Sequence, residues 1–355
     1  MMISSVPSER SKHFLPSELP VIQAPMAGSQ GSALVVAVSE AGGLGSLPCA
    51  MLSSEQLDLE LSRITQATAR AFNVNFFCHL QPEPDPTREQ KWLERMSVFY
   101  REFDIDPASI KPAAGRLPFS AESAEILECY KPAVVSFHFG LPAKALLNRV
   151  KSWGSMVLSS ATTVEEAVWL QEHGVDAIIA QGVEAGGHRG MFLTDDLNSQ
   201  SGTETLLRNI LQSTDLPVIA AGGIANENDV KQLIDAGASA VQAGTAYLLC
   251  PEAATSEIHR AALQSDAACN TELTNLFSGR PARGIRNHFM EQVGPLSADV
   301  PVFPRATSFV APLRAAAEKQ QSGDFSPLWA GQNALNCEAL PAAELTRKLV
   351  SRVSF

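Results

Sequence analysis

No two of the six cysteines, Cys49, Cys78, Cys129, Cys250, Cys269 and Cys337, form a CxxC pair. Their wide scatter argues against a disulfide scaffold or a structural zinc site and for individually buried, reduced thiols. No stretch approaches 18 apolar residues without polar interruption, so no membrane-spanning helix is expected. Basic residues are the minority, 27 Lys and Arg against 38 Asp and Glu for a formal charge of -11, which argues against nucleic acid or an anionic membrane as partner. Neither a GxGxxG fingerprint after a strand nor an HExxH motif is present, so a Rossmann dinucleotide fold and a zinc hydrolase are unsupported. Glycine and proline, 23 and 22 of 355 residues, are too few for a collagen-like or low-complexity chain. Residues Met1 to Pro20 include Arg10 and Lys12 but lack the apolar region of a signal peptide, and a cytoplasmic location is the expectation.

What is present is apolar material in a regular cadence. Hydrophobic residues make up 45% of the chain and charged ones 18%, enough for a large core. Short apolar runs recur near 22, 45, 74, 135, 157, 179, 219 and 242, most of them followed by helix-like sequence. The helix after the fifth run opens with Thr163 as a candidate cap and Glu166 placed to complete a capping box; Gly237 ends the one after the seventh. Near-continuous apolar strands alternating with helices describe a parallel sheet covered on both faces, and eight of them predict an α/β fold of the (β/α)8 TIM-barrel type.

Two segments depart from the repeat. Residues 82 to 120 form an insertion after the third strand, with one charged amphipathic helix and a proline-punctuated return. From about 270 to 355 the chain reads as a mainly helical extension. Both are expected to cover the barrel, leaving one domain over 15–355.

In such a barrel the chemistry lies where strands end. Gly222-Gly223 and Gly244-Thr245 end the seventh and eighth strands, where backbone N–H groups commonly hold a phosphate. Met26 and Ala27 after the first strand, Asn75 on the third and Gln181 on the sixth offer an apolar rim with amide groups that suit the edge of a flavin, so FMN is the expected cofactor. The run from Gln181 to Gly190, QGVEAGGHRG, follows an apolar strand with four glycines and displays His188 as a candidate base. His138, ending the fourth strand, is the second catalytic candidate. Glu184 is placed to orient a histidine or pair with Arg189. No set of three convergent donors points to a metal.

The motifs QAPMAG (23–28), FNVN (72–75), QGVEAGGH (181–188), AGGI (221–224) and VQAGT (241–245), in this order, make the chain similar to the class I nitronate monooxygenases, formerly 2-nitropropane dioxygenases. The similarity runs from about Pro20 to Gln332, and WAGQN (329–333) resembles the family's late motif. It implies a non-covalent FMN, held by Ala24, Met26, Ala27, Asn75, Gln181, Gly186 and Gly187 around the ring and by Gly222, Gly223, Gln242, Ala243, Gly244 and Thr245 along the ribityl phosphate. His188 matches the catalytic histidine. Arg280 and Arg283 lie in FSGRPAR (277–283), which looks like a segment near the cofactor. The implied reaction is oxidation of an alkyl nitronate, in some members also a nitroalkane, by O2 to a carbonyl compound and nitrite. An FMN-dependent NAD(P)H oxidoreductase of the enoyl-ACP reductase or quinone reductase kind is the alternative. Oligomeric state stays open.

Overall fold

The computed structural model describes residues 14–111 and 115–354; most of the segment read for targeting lies outside them. Eight parallel strands form the barrel: β1 Val21–Gln23, β2 Gly45–Pro48, β3 Phe72–Phe77, β4 Val134–His138, β5 Met156–Ala161, β6 Ala177–Gln181, β8 Val218–Ala221 and β9 Ala240–Ala243. They run side by side in the order β1, β9, β8, β6, β5, β4, β3, β2. The ring is closed between β1 and β2, where Gln23 donates to the Leu44 carbonyl at 3.0 Å and Leu44 to that of Val21 at 2.9 Å. The second strand begins at Gly45, and Leu44 just before it serves as the closing bridge.

Helices α1 Ser32–Glu40, α2 Ser54–Ala67, α4 Ala121–Tyr130, α5 Lys144–Ser152, α6 Val164–Glu172, α7 Thr203–Ser213 and α8 Glu227–Asp235 surround the strands, while α3 Pro86–Glu102 belongs to the insertion. Local sequence starts several of them. Ser53 with Gln56 and Asn226 with Asp229 close capping boxes on α2 and α8, each satisfying N–H groups that a helix start leaves unpaired. At α6 the box stays half built. Thr163 accepts from the Glu166 N–H, but the Glu166 carboxylate turns to the N–H and hydroxyl of Thr162, at 2.7 and 2.8 Å, and to the Phe192 N–H. With the Leu193 N–H as a fourth donor, a fully buried carboxylate gains more there than from the one N–H that the box offers.

The barrel interior changes chemistry along its axis. Residues two apart on a strand share a face, and the inward faces start apolar, with Ile22, Val134, Leu158, Ile179, Ile219 and Ala240 packed together. Two residues on, toward the strand ends, the same faces carry Ser136, Ser160, Gln181 and Gln242, with His138 beyond Ser136. One end is therefore a dry plug, and the other is a polar floor for a ligand.

Helix α9 Glu257–Leu263 precedes the extension, which holds α10 His288–Val293, α11 Thr307–Lys319 and α12 Ala342–Leu349 and also adds strands that the sequence did not announce. Strand β10 Thr271–Thr274 pairs antiparallel with β11 Ala282–Ile285, and β11 pairs with the two-residue β7, Gly187–His188. Trp92, Met96, Phe99 and Tyr100 of α3 share a hydrophobic cluster with Phe277, Phe289, Phe309 and Phe325 of the extension. The insertion and the extension thus pack on each other across the open end of the barrel.

Candidate active site

A cavity opens at the C-terminal ends of the strands, the end at which a barrel of this kind holds its ligands. Its walls include every residue marked from sequence as a cofactor contact: Ala24, Met26 and Ala27 after β1, Asn75 on β3, Gln181, Gly186 and Gly187 on and after β6, Gly222 and Gly223 after β8, and Gln242, Ala243, Gly244 and Thr245 on and after β9. His138 and His188 line it too.

At one end the donors are backbone. Gly222 and Gly223 have φ of 128° and 71°, left-handed values that side chains rarely adopt. A Cβ on Gly222 would also meet the Thr203 hydroxyl at 2.6 Å. After β9 a short 3-10 turn, Thr245–Leu249, begins immediately, so its first N–H groups have no partner within the turn. Gly244 is different. Its φ is ordinary and a Cβ there would meet Ala24 and Met26 at 3.4 and 3.7 Å, which is normal contact. The fold alone does not demand a glycine there, yet the position borders the cavity. Buried beside it, the Gln242 Oε1 has no hydrogen-bond partner among the described residues, a costly state unless a ligand supplies a donor. Backbone donors, a free amide oxygen and an apolar rim are the chemistry that an FMN requires, and the residues fit it.

Residues 330 to 333 strap this end. Gly331 donates to the Thr245 hydroxyl at 3.0 Å, Gln332 to the Glu184 carbonyl at 2.9 Å, and the Asn333 amide to Gly223 and Asp229 at 3.1 and 2.9 Å. Gly186 packs against the strap, where a Cβ would lie 2.6 Å from Ala330 and Gly331 backbone; its lack of a side chain serves that approach.

The other end is built from side chains. The His188 ring packs near Phe303 and Trp329, each at 5.5 Å between centroids, and near Phe77 at 6.3 Å. Its Nε2 lies 2.8 Å from the Ser278 hydroxyl, and its Nδ1 has no partner among the described residues. Ser278 can donate to the Arg280 carbonyl at 3.3 Å while accepting from His188 Nε2–H, which leaves the Nδ1 lone pair free. Burial first, then the charges of Arg116 and Arg280 and the nearby His138 and His79, hold the imidazole well below its ordinary value, so at neutral pH it is an uncharged acceptor.

His138 is engaged on both sides. Its Nδ1 meets the Ser160 hydroxyl at 3.0 Å and its Nε2 the His188 carbonyl at 3.2 Å, and burial pushes it down to about 3. Gln181 grips the same loop, donating to the His188 carbonyl at 3.0 Å and accepting from Gly190 N–H at 2.7 Å. The fully buried Arg189 spends its guanidinium on the carbonyls of Gln181 and Gly182 and on Gln200. The contact considered between Glu184 and a histidine or Arg189 is replaced: its carboxylate caps α7 through the Thr203 N–H and hydroxyl, at 2.8 and 2.7 Å. Two donors at the helix start, a backbone N–H and a hydroxyl, hold the carboxylate, while the guanidinium is already satisfied by carbonyls.

Arg280 and Arg283 stand behind the wall. Arg280 stacks over Phe139 at 4.2 Å, and Arg283 donates to the carbonyls of Val183 and Thr271 at 2.8 and 3.0 Å. The arginine that does line the cavity is Arg116, from the insertion's return, and sequence reasoning passed over it together with Phe77 and Ser160, while Trp329 entered only as part of WAGQN. Among the described residues, no group of His, Cys, Asp or Glu could hold a metal ion, and no helix is long and apolar enough to cross a membrane.

Fold and cavity together define a (β/α)8 barrel enzyme with a backbone-built ligand cradle facing a neutral histidine. A family model described as nitronate monooxygenase matches residues 8–352, and the chain belongs to that family. It is 38% identical to a nitronate monooxygenase of Pseudomonas aeruginosa, over 98% of this chain and 99% of the relative. It is 39% identical to one of Paraburkholderia phytofirmans, over 93% and 91%. Among solved structures it resembles a nitroalkane oxidase from Streptomyces ansochromogenes, with a TM-score of 0.87 and 34% identity over 95% of this chain and 96% of that one. FabK from Thermotoga maritima, at 24% identity and a TM-score of 0.69 over 94% and 92%, shares the fold.

Proposed function

We propose that residues 15–355 act as one FMN-binding unit that oxidises alkyl nitronates, and neutral nitroalkanes where His188 removes the α-proton, with O2 to carbonyl compounds and nitrite. The observation that carries this reading is the cavity's division: a backbone cradle with an orphaned amide oxygen at one end, and at the other a neutral His188 among aromatic rings. Gly222, Gly223, Gly244 and Thr245 would hold the phosphate, and Ala24, Met26, Ala27, Asn75, Gln181, Gly186, Gly187, Gln242 and Ala243 would border the ribityl chain and ring. When bound, the flavin supplies the redox chemistry with oxygen.

The chain's own residues do the rest. His188 Nδ1 accepts the α-proton of a nitroalkane, and Ser278 fixes the tautomer that leaves this lone pair open. His138 and Gln181, both bonded to the His188 carbonyl, are positioning residues that hold the loop against the strand ends. Phe77, Phe303 and Trp329 exclude water and keep the base uncharged.

Purified protein should show a flavin spectrum and release FMN, not FAD, on denaturation. Ethyl nitronate should then give nitrite with oxygen consumption. Rapid anaerobic bleaching by NAD(P)H with no nitrite from any nitronate would assign the barrel to the reductase alternative instead.

A further inference from the structure

An uncharged His188 explains proton removal but leaves a nitronate, which is an anion, without a counter-charge. None of the residues lining the cavity is an aspartate or glutamate, in a chain with 38 of them. The lining holds three histidines, His138, His188 and His259, and one arginine, Arg116. Arg116 is neither exposed nor paired. One Nη donates to the Thr307 hydroxyl at 3.1 Å, its Nε is buried with no partner, and none of the ion pairs among the described residues includes it. Its guanidinium carbon lies 5.7 Å from the centre of the Phe303 ring, the same ring that packs 5.5 Å from His188. Base and guanidinium therefore flank one aromatic wall at the end of the cavity away from the glycine cradle.

Resting on the reading of the site as a nitronate oxidase, we infer that Arg116 is the anion-holding residue of the substrate end, donating to a nitronate oxygen while His188 faces the substrate carbon. The argument is one of unmet demand. A buried guanidinium with a vacant N–H and no carboxylate nearby is costly unless an anion completes it, and the acid-free cavity beside it is where an anion can enter. Burial lowers the Arg116 guanidinium only to about 10, so it stays cationic at neutral pH. The fork geometry of arginine suits two oxygens on one atom, the arrangement that a nitro group presents. Thr307 and Phe303 both come from the extension, and Arg116 from the insertion, so the two additions to the barrel meet where the anion is held.

The test uses flavin-loaded enzyme with ethyl nitronate, neutral nitroethane and, as a non-reacting anion, nitrate. Arg116→Gln should raise KM for ethyl nitronate about tenfold or more, the worth of a charge-assisted hydrogen bond, with kcat changed much less. KM for nitroethane should stay within about twofold, and nitrate binding, followed by calorimetry, should weaken in parallel with the nitronate KM. Arg116→Lys, which keeps the charge without the fork, should fall between the two and decides the question if Arg116→Gln loses its flavin. An unchanged nitronate KM, or equal losses on both substrates, overturns the inference. If the wild-type enzyme makes no nitrite but binds nitrate in an Arg116-dependent way, the anion site stands and the proposed reaction falls.

Discussion

The two ends of the cavity are made of different material. The cradle end is made of backbone: glycines and first-turn N–H groups after β8 and β9, strapped by residues 330 to 333. The substrate end is made of side chains that reach in from distant segments, Phe77 at the end of β3, Arg116 from the insertion, and Phe303 and Trp329 from the extension. Backbone donors are fixed by the barrel and indifferent to most substitutions. Side chains can be exchanged without touching the barrel, so specificity is free to change at one end while the cofactor end stays constant.

The largest expected effect separates base from scaffold. His188→Asn should lower turnover of a neutral nitroalkane at least about 10²-fold, and that of a preformed nitronate much less, since the nitronate arrives without its α-proton. FMN content should hold, because His188 lies on the side-chain end. In the wild type, burial and neighbouring arginines depress the His188 imidazole. Activity on the nitroalkane should therefore fall only as pH drops through that depressed value, with no step at the ordinary ~6.5. Stopped-flow assays that add each substrate form before it equilibrates read both effects. Equal small losses on both substrates would take the proton transfer away from this residue.

A smaller effect should appear at the cradle, and only there. Gly244→Val should weaken FMN binding by about tenfold or more, since a branched side chain occupies space bordering the cavity and presses on the phosphate site. The barrel should keep its melting temperature without flavin within a few degrees, because a Cβ at this position meets only ordinary contacts. Gly222→Ala is the contrast. With φ of 128° and the Thr203 hydroxyl 2.6 Å away, it should destabilise the apo-protein by about 1–3 kcal/mol. Loss of flavin by both variants with the same loss of apo-stability would erase the distinction between a glycine kept for a ligand and one kept for the fold.

The same division explains what could be read from sequence. Eight strands and the cradle were legible because each leaves a local mark: an apolar run, a glycine pair, a strand end. His188 was legible for the same reason, standing at the end of a glycine-rich stretch. Arg116 carries no such mark. It lies between Gly115 and Leu117 in a proline-punctuated return, and its meaning comes from Phe303 and Thr307, nearly 190 residues later in the chain. Strands β10 and β11 were hidden as well, because each is only four residues long, TELT and ARGI, and shows no clear alternation. The Glu184 contact was misjudged, because its partner Thr203 opens α7, whose place beside the glycine loop only the fold determines.

The smallest expected effect decides between the two histidines. His138 spends both ring nitrogens on Ser160 and the His188 carbonyl, and its imidazole is pushed down to about 3 by burial. It should thus support the loop and take no proton. His138→Gln keeps one donor for the His188 carbonyl and gives up the bond to Ser160, a neutral hydrogen bond worth about 0.5–1.5 kcal/mol. Nitroalkane turnover should drop by about 2–10-fold, by the same factor on the nitronate, with the pH profile unmoved and FMN retained. The equal factor is the informative part, because loosening the loop displaces the base, the substrate and the ring alike. A drop beyond about 10²-fold confined to the nitroalkane, together with a shifted pH profile, would make His138 the base and reduce His188 to its support.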